Sequence, residues 1–233
     1  MPQPHSLPKY VQISELLIRD IQAGRLTDGE RLPPERDMAA RLGISVGTLR
    51  RALDELTGRG FLERVQGSGN YVRARADASS IYAFFRVELI EGGGLPTADL
   101  LSVQRLVKPA GLPRFGQSAE GHRIRRMRRL NDVPAVLEEI WLDGSYTDRV
   151  DADALSESLY LYYREALGLW ITRAEDRIGL SALPDWAPGS FGKRPGTACV
   201  CATRRSHAQD GAIAEMSLNW INTDVAAYVA RIT

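Results

Sequence analysis

The chain has 233 residues, of which 44% are hydrophobic and 25% are charged, and its formal net charge is +1. This is the composition of an ordinary globular protein, and the length favours two domains. No apolar run reaches the roughly eighteen residues of a membrane span, so the sequence predicts none. The opening residues have neither an apolar core nor a small-residue cleavage site, so we expect no signal peptide and a cytoplasmic protein.

Charge is distributed unevenly along the chain. Residues 1–75 hold twelve Lys and Arg against nine Asp and Glu, a balance of +3, whereas the remainder stands at −2. A balance of +3 is also typical of an ordinary solvated surface, so it does not by itself indicate a nucleic-acid partner. The positions of the arginines must therefore decide whether this segment binds nucleic acid.

Three helices are predicted in the first sixty residues. The first covers about residues 9–23 and ends before Gly24, which suits a C-cap. A second helix opens at Pro34, a residue tolerated in a first helical turn, and stops at Gly43. Ser45 then caps a third helix.

The third helix carries short and basic side chains on its leading turns. Gly47, Thr48 and Arg50 lie outside the apolar face that its leucines form. Glycine inside a helix costs about 1 kcal/mol relative to alanine, which makes sense if the backbone there must approach something closely. After a TGRG break, the strand-like runs FLERV and NYVR are joined by QGSG, which predicts a hairpin.

Three helices followed by a hairpin form a winged helix-turn-helix. In such a module the second helix of the pair enters the major groove by its N-terminal turns, where hydroxyl groups bond phosphates and arginine reaches guanine edges. The alternative is a three-helix subdomain with a solvated arginine face, which explains neither the hairpin nor its glycine-rich tip. We therefore predict a DNA-binding domain over residues 1–75 and a polar linker over residues 76–80.

About sixty continuous residues resemble the DNA-binding domain of the GntR family of bacterial transcription regulators. The resemblance rests on the run G-x-x-L-P-x-E-R-x-x-A and on the wing pattern G-x-G-x-(aromatic)-V. It implies DNA contacts at the start of the second helix, on the third helix and in the wing. The predicted DNA-binding residues are Arg36, Ser45, Gly47, Thr48, Arg50, Gln66, Gly67, Ser68 and Gly69. Val46 stands where many members have an arginine, so the resemblance does not imply the operator sequence.

Beyond residue 80 the pattern changes to strands with one helical run near Ser158–Leu167, which predicts an α+β domain built on an antiparallel sheet. The predicted strands are Ile81–Ile90, Ser102–Lys108, Ile124–Leu130, Pro134–Leu142, Ala174–Leu180, Thr197–Arg204 and Ile213–Ile221. Cys199 and Cys201, the only cysteines, lie two apart in one of these runs and point to the same side, which does not suit a disulfide. We interpret them as packing residues and expect no metal and no cofactor.

This second segment resembles the UTRA effector domain of the HutC-like subgroup, whose fold resembles chorismate lyase. The runs RMRRLNDVPAVLEEIWL, SLYLYYREALGL and AIAEMSLNWINTD carry the resemblance, whereas PDWAPGSFGKRP fits poorly and Asn222 stands where an arginine is frequent. The resemblance implies an effector-binding and dimerisation domain over residues 81–233. An all-helical effector domain would lack the strands, and an aminotransferase-like one would need a far longer chain.

Alternation along residues 124–130 divides the arginines between two faces. Arg126 and Arg128 share the inward face with apolar neighbours, and the others form a solvated row on the opposite face, namely Arg123, Arg125 and Arg129. An inward arginine is costly unless an anion or a carboxylate meets it. Glu138 occupies a similar inward position on the next predicted strand.

Two interpretations of these inward charges stay open. In one, Glu138 simply pairs with an arginine inside the core. In the other, Ser158 and Tyr160 at a helix N-terminus add to an anion site, which predicts a pocket for a small metabolite bearing phosphate or carboxylate. With the resemblance included, the predicted effector-binding residues are Thr97, Arg126, Arg128, Glu138, Ser158, Tyr160 and Glu215.

These observations favour a transcription regulator over other classes of protein. No nucleophile–base pair and no metal set is evident, so we do not predict an enzyme, although a lyase-like enzyme fused to a DNA-binding domain is the alternative. An architectural DNA-binding protein would need more positive charge. We expect a repressor that binds double-stranded operator DNA as a homodimer and responds to a small anionic metabolite, with no membrane partner.

Overall fold

A computed structural model describes residues 7–73, 82, 84–155 and 157–231. The chain divides into two compact units, an N-terminal unit built mainly from residues 6–85 and a C-terminal unit built mainly from residues 86–230. The predicted linker, residues 76–80, lies outside the described residues. None of the described helices is long and apolar enough to cross a membrane.

The N-terminal unit is a winged helix-turn-helix, as predicted. Its elements in chain order are α1 (Lys9–Gln22), α2 (Glu35–Arg41), α3 (Val46–Gly58), β1 (Leu62–Val65) and β2 (Gly69–Val72). Ile18 of α1, Leu49 and Leu53 of α3, and Phe61 before the hairpin are all at most 1% exposed and pack in one cluster. The apolar face of α3 is therefore fully used by the core, which leaves its other face available.

The C-terminal unit is built on a six-stranded antiparallel sheet of strand order β4-β5-β6-β9-β8-β7, with a separate antiparallel pair of β10 and β3. Its elements are β3 (Val87–Leu89), β4 (Pro96–Val107), β5 (Glu120–Leu130), β6 (Val133–Asp143), α4 (Leu159–Leu167), β7 (Ile171–Ala182), β8 (Ala198–Ala208), β9 (Ile213–Ile221) and β10 (Ala226–Tyr228). The predicted α+β class is confirmed.

One face of the large sheet, here named the helix face, is covered by α4. Ile124 and Ile140 of the sheet pack with Tyr162 and Tyr163 of α4 in one buried cluster. The other inward positions of this face, on β5, β6, β8 and β9, include buried charged and polar side chains.

The opposite face, here named the loop face, is also covered, and the prediction of a solvated arginine row is wrong. Met127, which alternates with the arginines on this face, is only 3% exposed. Arg125 stacks 4.4 Å from the ring centroid of Trp186. The reason is that residues 183–191, most of which belong to the run PDWAPGSFGKRP that fits the family poorly, cover this face and bring Leu183 and Phe191 into its core.

The strand predictions differ from the structure mainly at sheet edges. Of the predicted strand Ile81–Ile90, the described residues form only Val87–Leu89, and Ile81 itself lies outside them. Its partner, Ala226–Tyr228, was not predicted at all. The edge strand β4 starts at Pro96, earlier than predicted, because a proline without N–H is acceptable at the start of an edge strand. Cys199 and Cys201 are both buried and unbridged in the loop-face core, as predicted.

Candidate DNA-binding surface and candidate effector site

The start of α3 is fixed by its own hydroxyl groups. The Ser45 side chain accepts a hydrogen bond from the Thr48 backbone N–H at 3.1 Å, and the two side-chain oxygens lie 2.8 Å apart. This cap satisfies one of the free N–H groups of the first turn. Both hydroxyl groups therefore sit at the leading end of α3, on the side that the core does not use.

Gly47 has no structural reason to be glycine within the unit. It is exposed, its φ lies outside the left-handed region, and an added Cβ would meet only Ser45 Oγ, at 3.9 Å. Alanine would fit here and would favour the helix by about 1 kcal/mol. The absence of a side chain therefore matters only to something that approaches α3 from outside.

Arg50 is held by a carboxylate of the neighbouring helix. Its Nε donates to Glu35 Oε2 at 2.6 Å, and this bond raises the pKa of the guanidinium. Arg64 of the wing makes a similar ion pair with Asp54 at 2.9 Å. Arg36 is exposed, and its side chain has no bonded partner among the described residues.

The wing is a tight turn that depends on two glycines. Gly67 and Gly69 have φ values of +74° and +131°, which strongly favour glycine. The Ser68 N–H closes the turn on the Val65 carbonyl at 3.0 Å, and the Ser68 hydroxyl lies 2.7 Å from Tyr71 Oη. Gln66 and Gly67 at the tip are exposed.

These elements surround a cleft of about 720 Å³ between the start of α2, α3 and the wing. Six of the nine predicted DNA-binding residues line it, namely Arg36, Arg50, Gln66, Gly67, Ser68 and Gly69. Ser45, Gly47 and Thr48 lie outside it, on the leading turn of α3. The sequence analysis missed Arg31 and Arg64, which also line the cleft. Strand alternation could have found Arg64, whereas Arg31 requires the bridge that pairs it with Tyr71.

In the C-terminal unit, Arg126, Glu138 and Arg128 form a buried triad on the helix face. Arg126 donates to Glu138 Oε2 from Nη2 at 2.7 Å and from Nε at 3.0 Å, and Arg128 Nε donates to Oε1 at 3.0 Å. All three residues are at most 5% exposed. The carboxylate is thus shared between two guanidinium groups. The three side chains together carry a net charge of +1.

The protonation of the triad follows from this pairing. Burial acts to raise the pKa of Glu138, but the two guanidinium groups outweigh burial and lower it to about 2. Burial lowers the pKa of Arg126, and the like charge of Arg128 adds to that effect. Glu138 is therefore ionised at neutral pH.

The N-terminus of α4 lies against this triad. The carbonyl of Glu157, just before the helix, accepts from Arg126 at 3.3 Å and from Arg128 at 3.4 Å. Ser158 is the N-cap, and its hydroxyl accepts from the Leu161 N–H at 3.4 Å. Ser158 is therefore placed beside the arginines, but its hydroxyl is engaged in the cap.

Glu215 forms a second buried cluster on the helix face. Its carboxylate accepts from Tyr163 at 2.7 Å, from Ser206 at 3.0 Å and from Tyr160 at 3.3 Å. Burial raises the pKa of Glu215, while the hydrogen bonds from Tyr163 and Ser206 and the charges of two arginines, Arg126 among them, act to lower it. The two clusters are thus near enough for their charges to interact.

Six of the seven predicted effector residues therefore share the helix face, and Thr97 does not. Thr97 pairs with Arg129, which alternates to the loop face, so the register directs it away from the triad. The sequence analysis also missed a third polar cluster on the helix face. Arg204 binds Asp176 through two bonds of 2.6 and 2.7 Å, and Tyr228 donates to Asp176 at 2.7 Å.

Arg204 could have been found by alternation, because it lies between Ala202 and Ser206 on one face of β8. Asp176 is its register partner on β7. The described residues contain no group of His, Cys, Asp or Glu able to hold a metal ion. The polar side chains of the helix face therefore include arginines paired with carboxylates, with hydroxyl groups bonded to the carboxylates.

Comparison with known proteins covers both units. Residues 9–72 match the family described as bacterial regulatory proteins, gntR family, and residues 91–226 match the UTRA domain. The chain is 63% identical to the HTH-type transcriptional regulator SmoD of Agrobacterium fabrum strain C58, over 97% of each chain. It is 26% identical to the HTH-type transcriptional repressor NagR of Bacillus subtilis, over 88% of this chain and 86% of that protein.

One solved structure resembles the C-terminal unit in fold. It is the ligand-binding domain of a putative GntR-family transcriptional regulator from Bordetella bronchiseptica, with 23% identity and a TM-score of 0.57. The match covers 65% of this chain and 99% of that domain.

The buried triad leads to a stability prediction. Glu138→Gln leaves two buried guanidinium groups without a carboxylate, so the free energy of unfolding should fall by about 3–5 kcal/mol at pH 7. Glu175→Gln is the control, because Arg177 Nε and Glu175 Oε1 are also 3.0 Å apart but the side chains are 69% and 43% exposed. That change should lower the free energy of unfolding far less, because solvent screens the exposed pair. Chemical denaturation of both variants measures the difference, and equal losses would contradict the analysis.

The same pair predicts an acid dependence. Because the pKa of Glu138 is about 2 in the folded chain and 4.5 ordinarily, its stabilising contribution is complete above pH 4.5 and is lost as the pH falls towards 2. Glu138→Gln should lack this loss of stability between pH 4.5 and pH 2.

Proposed function

The chain belongs to the gntR family of bacterial regulatory proteins and carries a UTRA domain, and from this membership we propose that it is a repressor controlled by a small anionic metabolite. It is a DNA-binding transcription regulator with a winged helix-turn-helix domain and a UTRA effector domain. We infer repression because one relative, NagR, is named a repressor. The protein acts in the cytoplasm and catalyses no reaction.

The proposed domains are the DNA-binding domain over residues 1–75, the linker over 76–80 and the effector domain over 81–233. In the first, α3 enters the major groove and the wing contacts the adjacent backbone. The cleft between α2, α3 and the wing supports this proposal, since it gathers exposed arginines beside the glycines of the wing tip. Arg36 and Arg50 are the base-reading candidates.

The effector proposal rests on the surplus positive charge of the triad. Two buried guanidinium groups that share one carboxylate are a favourable place for the phosphate or carboxylate of a ligand. The start of α4 adds backbone N–H groups beside it. We assign the uncharged part of the ligand to Ser158, Tyr160 and Glu215, whose hydroxyl and carboxylate groups are engaged in the helix cap and in the hydrogen bonds around Glu215, and which a ligand would have to share.

The first of the functional predictions concerns assembly on DNA. A single winged helix reads only a few base pairs, so we expect a homodimer on a near-palindromic operator with half-sites about one helical turn apart. Footprinting together with sedimentation of the protein–DNA complex measures both. Full-affinity binding of one chain to one asymmetric half-site would overturn the dimer.

The second prediction separates effector binding from folding. Arg128→Met leaves Arg126 and Glu138 as a neutral pair, so the variant should fold and bind operator, but its affinity for the effector should fall by about tenfold or more. The effector is first found by thermal shift of the wild-type chain with phosphorylated and carboxylated metabolites, each then tested for operator release.

Arg125→Met is the matched control, because Arg125 is on the same strand, also pairs with a glutamate at 2.8 Å, and faces the other side of the sheet. It should respond normally to the effector. If Arg128→Met melts early, or releases DNA at wild-type effector concentration, the triad is structural and the assigned effector site is wrong. Chemical conversion of the metabolite by the wild-type chain would instead indicate an enzyme.

The third prediction concerns the leading turn of α3. Gly47→Ala should leave stability unchanged or raise it by up to about 1 kcal/mol, yet weaken operator binding, because the added methyl group meets the approaching DNA. Gly58→Ala at the far end of the same helix is the control, since that position is also exposed and open. Thermal denaturation and operator titration measure the two effects. Unchanged operator affinity in both variants would place the DNA elsewhere.

A further inference from the structure

Glu35 lines the cleft in the N-terminal unit. It is the first residue of α2, and its Oε2 accepts from Arg50 Nε on α3 at 2.6 Å. Its other oxygen, Oε1, lies 4.0 Å from Arg64 Nη2 in the wing. A negative charge therefore sits among the basic side chains that the proposed function directs towards DNA.

An acid at this position is unfavourable for DNA binding unless it has a specific role. A carboxylate on a DNA-facing surface repels phosphates whatever the base sequence, and so weakens all binding. The side chain of Glu35 is 27% exposed, while that of Arg50 is 64% exposed. The acid is thus the more buried partner, and the arginine is the more exposed one.

The bond leaves the end of Arg50 available. Only Nε is engaged, and the terminal nitrogens of Arg50 make no other hydrogen bond among the described residues. Arginine reads guanine by two parallel donors to O6 and N7. A long side chain whose rotamers are already restricted loses less entropy when it makes such a pair.

We propose that Glu35 is a positioning residue for DNA recognition, which orients Arg50 before DNA arrives and so increases discrimination between operator and other DNA. The proposal rests on the proposed function, in which Arg50 reads a base. The negative charge of Glu35 lowers the affinity for every DNA sequence. The loss is recovered only where a base accepts the Arg50 guanidinium that Glu35 orients.

The neighbouring Asp37 provides a matched control. It lies on the same helix, lines the same cleft and is exposed, but it makes no bond to an arginine among the described residues. Asp37→Asn removes the same charge from the same surface without releasing Arg50. A change in DNA affinity that Asp37→Asn shares with a Glu35 variant is therefore due to the loss of the negative charge alone.

The experiment measures the ratio of dissociation constants for a non-specific duplex and for the operator found by footprinting, at one salt concentration. Arg50→Ala should lower this ratio by a factor of about 5 to 150. Glu35→Ala should strengthen non-specific binding yet lower the ratio by about fivefold or more, and Glu35→Gln, which keeps an acceptor, should restore part of the loss. Asp37→Asn should strengthen non-specific binding and leave the ratio within about twofold.

The double variant Glu35→Ala/Arg50→Ala should discriminate no worse than Arg50→Ala, because Glu35 acts through Arg50. If Glu35→Ala keeps the wild-type ratio while Arg50→Ala lowers it, the positioning role is wrong and the role of Arg50 stands. A loss in Asp37→Asn equal to that in Glu35→Ala also overturns the proposal. If Arg50→Ala keeps the ratio, the base-reading role of Arg50 fails first, and the role of Glu35 with it.

Discussion

The buried triad of Arg126, Glu138 and Arg128 is the constraint on which the C-terminal unit depends. Three charges in the interior are expensive to desolvate, and only close pairing in good geometry offsets that cost. The two neighbouring strands β5 and β6 supply this geometry, since their register sets Arg126 directly opposite Glu138. A slip of one residue between these strands would put Glu138 and the two arginines on opposite faces of the sheet, with one side of the pair against the apolar core of the loop face. The triad therefore fixes strand register as well as charge.

The triad also fixes where α4 can lie. The Glu157 carbonyl at the entry to the helix accepts from both arginines, and further along the helix Tyr160 and Tyr163 bond to Glu215. One end of α4 is thus tied to β5, and the next turn is tied to β9. An anion that takes hydrogen bonds from Arg126 or Arg128 competes with both Glu138 and that carbonyl. Because the same guanidinium groups would bond both the anion and the Glu157 carbonyl, binding of the anion would be coupled to the position of α4. A ligand can favour one position of α4 over another only through such a difference in contacts.

The DNA-binding unit could be predicted from sequence almost completely, because its signals are local. Each signal lies at the cap or turn that it predicts, namely at Ser45, at Gly43 and at the glycines of the wing. The helix face of the C-terminal unit was predictable only in part. Alternation identified Arg126 and Arg128 as inward, but whether Glu138 meets them depends on strand pairing, and the structure shows that it does. The pairing of Arg204 with Asp176 and the cover over the loop face are long-range contacts with no periodic signal.

Two arginine–glutamate pairs in this chain have similar atoms and opposite consequences. Arg50 and Glu35 meet at 2.6 Å with side chains 64% and 27% exposed, whereas Arg128 and Glu138 meet at 3.0 Å with both side chains 6% exposed. Solvent screens the exposed pair, so under the proposed function DNA can engage the free end of Arg50 at little cost. The buried pair cannot be opened without leaving a charge unpaired. A ligand that engages Arg128 must therefore bring its own negative charge, and a neutral molecule of the same shape cannot replace it. Burial, rather than bond length, thus distinguishes the pair that we propose to guide DNA recognition from the pair that we propose to select the charge of the effector.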